Sequence, residues 1–192
     1  SSDPSTRVQY PFDFELTATY KLLPDGLSAR ILVAAAACNT RHMPFSIGNH
    51  ISLALPLVAG SVAAASEVRS PAARILKLDQ QGLLTGDAEP AHYAQGAALR
   101  DDPGLFDMVL EGFAPGQAWV ELRDPLGPGV RISQTADAGG EHFRFVLYSD
   151  GGKTFFCPEP WCGEPNSLNT GRGLITLAPG ERYAWEMTLS II

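Results

Sequence analysis

Regular alternation of apolar and polar residues, repeated in short runs between turn signals, limits the possible fold more than any other feature. Between Tyr10 and Tyr20 one face carries only apolar or aromatic side chains, at Tyr10, Phe12, Phe14, Leu16, Ala18 and Tyr20. A period of two is that of a β-strand with one buried face. The turn Leu23-Pro24-Asp25-Gly26 follows, and Leu27 to Ala37 is again extended and mostly apolar. These residues are predicted to form a hairpin.

The same pattern returns in the second half of the chain. Short apolar runs are separated there by Gly/Pro turns, and they lie at Ala118–Leu122, Val130–Thr135, Phe143–Tyr148, Gly173–Leu177 and Tyr183–Ile191. Regularly spaced short strands of this kind are typical of antiparallel sandwiches and barrels. The sequence therefore predicts an all-β fold.

The segment from Leu57 to Gly96 has a weaker pattern. Short strands around Ile75, Leu76 and Leu78 fit it, and a helix near Ala63–Val68 fits it as well. No repeat, charge run or low-complexity tail divides the chain, so residues 1–192 are predicted to form a single domain.

Charge and cysteine content exclude several classes of protein. A net charge of -7 and the lack of a basic patch argue against nucleic acid and anionic membranes as partners. No apolar run reaches the roughly 20 residues of a membrane helix, no secretory signal is visible, and a cytoplasmic location is expected. Cys38, Cys157 and Cys162 match no zinc-binding spacing, and buried thiols are expected, although a Cys157–Cys162 disulfide is an alternative.

One stretch near the end of the chain, Phe155 to Asn169, combines groups suited to chemistry. Glu159 lies between Pro158 and Pro160, which fix the backbone and supply no N–H, so its carboxylate is held on a stiff segment. Trp161 offers a flat apolar surface to a sugar or another ring, and Gly163 permits a turn. A rigid, solvated sheet edge is the plainer interpretation of the same residues.

Four blocks of sequence together resemble the aldose 1-epimerase (galactose mutarotase) family. In chain order they are YPFDFELTATYKLLPDGL from Tyr10, MPFSIGNH from Met43, LFDMVLEGF from Leu105 and EPWCGEPNSLNTGRGLITLAPGE from Glu159. The family shows similar blocks in the same order. The resemblance implies the large two-sheet supersandwich of that family. It also implies acid/base interconversion of the α and β anomers of an aldose sugar, without a metal ion or organic cofactor.

The resemblance also implies site residues. Glu159 falls on the family's base and His50 on its acid, and carboxylate and imidazole are suited to proton transfer near neutral pH. Asp107 falls on an aspartate that binds sugar hydroxyls, and Asn49 and Trp161 are further candidates for sugar contacts. Without this context, His50 would be a structural histidine, Asp107 a turn or cap residue, and Asn49 an ordinary turn residue.

Two departures from the family pattern leave a second function open. The family commonly has an aromatic pair after the histidine, where this chain has Ile51-Ser52-Leu53. Members of the family usually have an N-terminal portion that contributes strands, a histidine and an arginine, and this portion is expected to be missing from this sequence. A non-catalytic carbohydrate-binding or structural β-sandwich is therefore the alternative. An open sheet edge is also expected, where a second chain or a second copy could add a strand.

Overall fold

The computed structural model describes residues 1–102, 105, 107–138, 140–150 and 154–192. Two short α-helices, α1 (Pro4–Gln9) and α2 (Ser167–Thr170), accompany a set of β-strands. In chain order the strands are β1 (Phe14–Leu23), β2 (Gly26–Ala35), β3 (Met43–Phe45), β4 (Ile47–Gly48), β5 (Leu53–Ala54), β6 (Glu67–Arg69), β7 (Arg74–Leu78), β8 (Leu84–Pro90), β9 (Ala97–Ala98), β10 (Met108–Glu111), β11 (Trp119–Arg123), β12 (Gly129–Ala136), β13 (Phe143–Ser149), β14 (Phe155–Cys162), β15 (Ile175–Leu177) and β16 (Arg182–Ile191). Short 3₁₀ helices cover Ala63–Ala65, Tyr93–Gln95, Leu99–Asp101 and Gly140–His142.

These strands form two large antiparallel sheets. The first has the order β1-β2-β16-β12-β11-β6-β9, and the second has the order β4-β14-β13-β10-β7-β8, with β5 also pairing with β14. Strands β15 and β3 form a separate small pair. The predicted all-β fold is confirmed.

Apolar side chains from both large sheets form the core. Trp185 on β16 and Ile132 on β12 are fully buried, as are Phe145 and Leu147 on β13. Because side chains alternate along a strand, Arg144 and Val146 of β13 lie on the opposite face of the second sheet. This opposite face carries the candidate site.

The predicted hairpin is confirmed as β1 and β2, but its buried face is not. The apolar side chains of β1 align with the buried face of β2, since Leu16 pairs with Val33 and Tyr20 with Ala29. Leu16 and Tyr20 are nevertheless 47% and 64% exposed, because β1 is the edge strand and no described residues cover that face there. The alternation thus identified the strand and its inward face correctly. The expected burial is confirmed for Phe12, and it was wrong for Leu16, Ala18 and Tyr20.

The segment from Leu57 to Gly96, which the sequence left open, contains three short strands separated by loops. A 3₁₀ helix occupies Ala63–Ala65, and β6, β7 and β8 follow it. The five strands predicted in the second half are confirmed as β11, β12, β13, β15 and β16, with ends that differ by one or two residues. No described helix has the length and apolar character needed to cross a membrane.

Candidate functional site

Strand β14 carries the central carboxylate and lies inside the second sheet. It pairs with β13 on one side and with β4 and β5 on the other, so Glu159 is not on a solvated edge. Glu159 is only 5% exposed. Pro158 and Pro160 supply no backbone N–H for hydrogen bonds to the neighbouring segment. That segment therefore pairs regularly with β14 only as β4 and β5, before and after the prolines, and not opposite them. The plainer interpretation of the Pro-Glu-Pro segment was wrong.

His50 is placed opposite Glu159 by two short strand pairings. Gly48 pairs with Trp161 in β4, and Leu53 pairs with Phe156 in β5. Both pairings have the same register, and that register puts residue 50 opposite residue 159. The Asn49 N–H donates to the Pro160 carbonyl at 3.1 Å, which holds the intervening segment against β14.

The two side chains meet on one wall. Nε2 of His50 lies 3.3 Å from Oε1 of Glu159, and the histidine side chain is 67% exposed whereas that of the glutamate is 6% exposed. The space between them is therefore too small for a ligand, and the adjoining cavity lies beside the pair. This arrangement differs from two groups facing each other across a cleft.

The other carboxylate oxygen of Glu159 is held by Trp161. The indole N–H donates to Oε2 at 3.2 Å. Gly48 lies under the indole, where an added Cβ would come within 2.9 Å of its Cδ1 atom. Only glycine leaves room for the ring in this position. Glu159 is thus fixed between an imidazole and an indole.

Burial raises the pKa of the Glu159 carboxyl above its ordinary value. The His50 ring and the hydrogen bond from Trp161 lower it in part, and the negative charge of Asp107 raises it further. Since the net direction is upward, this carboxylate is a better proton acceptor than an exposed one.

An open cavity of about 640 Å³ adjoins the pair. This volume is within the range of small-molecule sites. Its described lining comes from two segments, 46–50 and 161–169, together with Glu159. Trp161 and Asn49, both predicted from the sequence, belong to the lining.

Gly163 and Asn166 turn the chain from β14 into the opposite wall. Gly163 has φ +121°, and an added Cβ would lie 2.5 Å from that of Ser46, so the predicted need for glycine is explained. Asn166 has φ +62° and precedes α2, and the first three residues of α2 line the cavity with it. The sequence analysis did not select Asn166, although an Asn next to a Pro was a visible turn signal.

Asp107 is near the site but is not part of the described cavity lining. It is exposed, it directly precedes β10, and its N–H donates to the Leu147 carbonyl at 3.1 Å. Its φ of +102° is rare for a residue with a side chain. Strain of this kind clusters at functional sites. Its role as a sugar ligand stays a prediction.

A buried ion network supports the cavity wall beyond Trp161. The Arg144 guanidinium lies 2.7 Å from a Glu164 oxygen and 3.0 Å from a Glu111 oxygen, and Arg74 lies 2.7 Å from Glu111. Glu164 lines the cavity. This network could not be predicted from the sequence, because its members are far apart along the chain.

All three cysteines are free thiols. Cys157 and Cys162 are an odd number of residues apart on β14, so their side chains lie on opposite faces of the sheet. Burial raises the pKa of Cys157, and it raises that of Cys162 to about 11. The structure favours the thiol interpretation over a Cys157–Cys162 disulfide.

The chain was compared with family models, with curated proteins and with solved structures. The family model described as aldose 1-epimerase matches residues 1–190. No curated protein matches the chain.

Several solved structures share the fold. A galactose mutarotase-like protein from Clostridium acetobutylicum has 21% identity and a TM-score of 0.82, with 100% of this chain and 60% of that chain covered. A galactose mutarotase related enzyme from Lactobacillus acidophilus has 21% identity and a TM-score of 0.81, with coverages of 100% and 65%. A galactose 1-epimerase from Lactobacillus acidophilus NCFM has 17% identity and a TM-score of 0.71, with coverages of 99% and 60%. The chain thus spans about three fifths of the length of these proteins, and by its family match it belongs to the aldose 1-epimerase family.

Proposed function

We propose that this chain interconverts the α and β anomers of an uncharged aldose by acid/base ring opening and closure. The observation that carries the proposal is the contact between the His50 imidazole and the Glu159 carboxylate, 3.3 Å apart at a sugar-sized cavity. Family membership adds independent support, because the family model matches residues 1–190 and not only these two side chains.

The side-by-side arrangement suits this reaction. The anomeric hydroxyl and the ring oxygen are bonded to the same carbon, C1, so a base and an acid in contact with each other can reach both atoms. Glu159 removes the proton from the anomeric hydroxyl while protonated His50 donates a proton to the ring oxygen, and the bond between C1 and that oxygen breaks. Rotation about the C1–C2 bond then exposes the other face of the aldehyde.

Ring closure reverses the proton transfers. The ring oxygen attacks C1, His50 recovers its proton, and Glu159 returns a proton to the new anomeric hydroxyl. No proton is gained or lost over the cycle, so each group ends in its starting state. Trp161 holds Glu159 in place through its N–H and offers its ring to the apolar face of the sugar.

The charge of the cavity favours an unphosphorylated sugar. Its described lining contains Glu159 and Glu164 but no lysine or arginine. A phosphate group would require paired cationic donors. We therefore expect free aldoses to bind better than their phosphates.

A non-catalytic sugar-binding domain is the second candidate. It is favoured by the coverage of only 60% to 65% of two similar structures, because a site shared with the remaining part of such a protein would be incomplete here. An NMR or polarimetric assay of anomer exchange on the purified chain distinguishes the two. Acceleration over the uncatalysed rate supports the epimerase, whereas saturable sugar binding without acceleration supports the second candidate.

A further inference from the structure

Three side chains that bind metals well meet beside the cavity. His50, Cys157 and Glu159 each offer one ligand atom, and these atoms all lie within 4.8 Å of one another. Cys157 takes no part in the proton transfers described above. In this structure its thiol donates to Ser52 Oγ at 3.4 Å.

The strand fixes two of these ligands. Cys157 and Glu159 are two residues apart on β14, so they lie on the same face, and both are paired with β13 through Tyr148 and Val146. Both are also buried, at 1% and 5% exposure. His50 lies on the neighbouring segment with a largely exposed side chain, which leaves a route for an ion from solvent.

One of the three ligand separations already equals that of a tetrahedral zinc site. With Zn–N and Zn–O bonds near 2.1 Å and a Zn–S bond near 2.3 Å, ligand atoms lie roughly 3.3 to 3.7 Å apart. The His50–Glu159 distance is already 3.3 Å. The other separations are within 4.8 Å, so the ligands must move by roughly 1 Å to close around the ion.

The chemistry of the three ligands favours zinc over magnesium and calcium. A thiolate, an imidazole and a carboxylate suit zinc, whereas magnesium and calcium prefer oxygen ligands alone. The thiolate and the carboxylate together balance the charge of the ion. Three protein ligands leave a fourth position for water.

We propose that His50, Cys157 and Glu159 bind zinc and that the bound ion switches the acid/base site off. An imidazole and a carboxylate that coordinate the ion no longer exchange protons with a sugar. The inhibitory part rests on the proposed function, whereas the binding part rests on the ligand geometry alone.

Cobalt(II) absorption tests the binding directly. The purified, metal-free chain titrated with cobalt should show a thiolate-to-cobalt charge-transfer band that zinc abolishes by competition. Cys157→Ser should lose the band and bind zinc about tenfold or more weakly. Cys38→Ser, which removes an exposed thiol elsewhere, should keep both.

His50→Asn provides a second variant at an exposed position, where folding is not at risk, and it should also weaken zinc binding. A cobalt spectrum that is the same with and without the Cys157 thiol, or the absence of cobalt and zinc binding, overturns the site.

Anomer-exchange rates test the switch. Zinc should slow the wild-type chain and the Cys38→Ser variant, chelation should restore the rate, and Cys157→Ser should be resistant. Zinc that binds through Cys157 but leaves the rate unchanged overturns the inhibitory part. A chain without anomer-exchange activity overturns the proposed function and the switch together, while the cobalt spectrum still decides the site.

Discussion

The indole N–H of Trp161 donates a hydrogen bond to Oε2 of Glu159, and the other oxygen of that carboxylate faces His50. The tryptophan thus has two separable parts, a donor that orients the base and a ring that lines the cavity. A hydrogen bond to a charged group contributes about 1.5–3 kcal/mol to the stability of the arrangement it holds. Variants of Trp161 can separate orientation of the base from contact with the sugar.

Trp161→Phe keeps an aromatic ring and removes the N–H. We expect kcat for anomer exchange to fall about tenfold while KM changes little, because the base loses its orienting donor. Trp161→Leu should raise KM as well, since it removes the flat surface. Steady-state NMR exchange rates at several sugar concentrations give both constants. Equal effects of the two variants on kcat and KM would contradict this division.

The acid/base pair gives the most direct test of the proposed reaction. Glu159→Gln and His50→Asn should each lower the rate about 10²- to 10⁴-fold, because each removes one proton-transfer group. The double variant should be little worse than either single one, since the two groups act in one step. His42→Asn, at an exposed histidine outside the described cavity lining, is the matched control. Circular dichroism confirms folding, and full activity in both variants would disprove these roles.

Asp107 allows a test of strain against function. Asp107→Gly should raise the free energy of unfolding by about 1 kcal/mol, because glycine adopts a φ of +102° without cost. Asp107→Asn keeps the strained backbone and should leave the stability unchanged. If Asp107 holds sugar hydroxyls, both variants should weaken sugar binding about tenfold. Urea unfolding and calorimetric titration measure the two effects, and stabilisation with unchanged sugar affinity would assign Asp107 to the turn alone.

Much of the fold could be predicted from the sequence because strands with period two and Gly/Pro turns are local signals. The hairpin of β1 and β2 and the alternation of β16 are examples. Burial on β1 could not be predicted, since it depends on whether another layer covers the edge. Alternation shows which face of a strand points inward, but it does not show whether another layer packs against that face.

The same distinction applies to the site. Glu159 and His50 could be selected by resemblance, but their contact depends on a register set by pairings on both sides of a proline-interrupted strand. Cys157 was expected to be a buried thiol because the three cysteines match no zinc-binding spacing along the chain. The Arg144 guanidinium donates a hydrogen bond to Glu164, which lies 20 positions further along the chain. Such relationships arise only when the sheets assemble.

Among the described residues no strand pairs with the outer edge of β1, and we expect the 192-residue chain to self-associate there. The backbone of Phe14 is already bonded to Ser2 on that side, so the alternate residues Leu16, Ala18 and Tyr20 direct their N–H and C=O groups toward the edge. Antiparallel pairing of two copies about Ala18 would extend the sheet. It would place Leu16 opposite the second copy's Tyr20, and both are exposed apolar side chains.

Charges on β1 complement this pairing. The same register places Glu15 of one copy opposite Lys21 of the other, and neither forms an ion pair within the described part of the chain. Lys21→Glu should therefore raise the dissociation constant of the dimer about tenfold, and the double variant Glu15→Lys with Lys21→Glu should restore it. Analytical ultracentrifugation measures association, and denaturing mass spectrometry distinguishes a second copy from a different chain. A wild-type chain that stays monomeric at high concentration, or a Lys21→Glu variant that associates as well as wild type, would contradict pairing through β1.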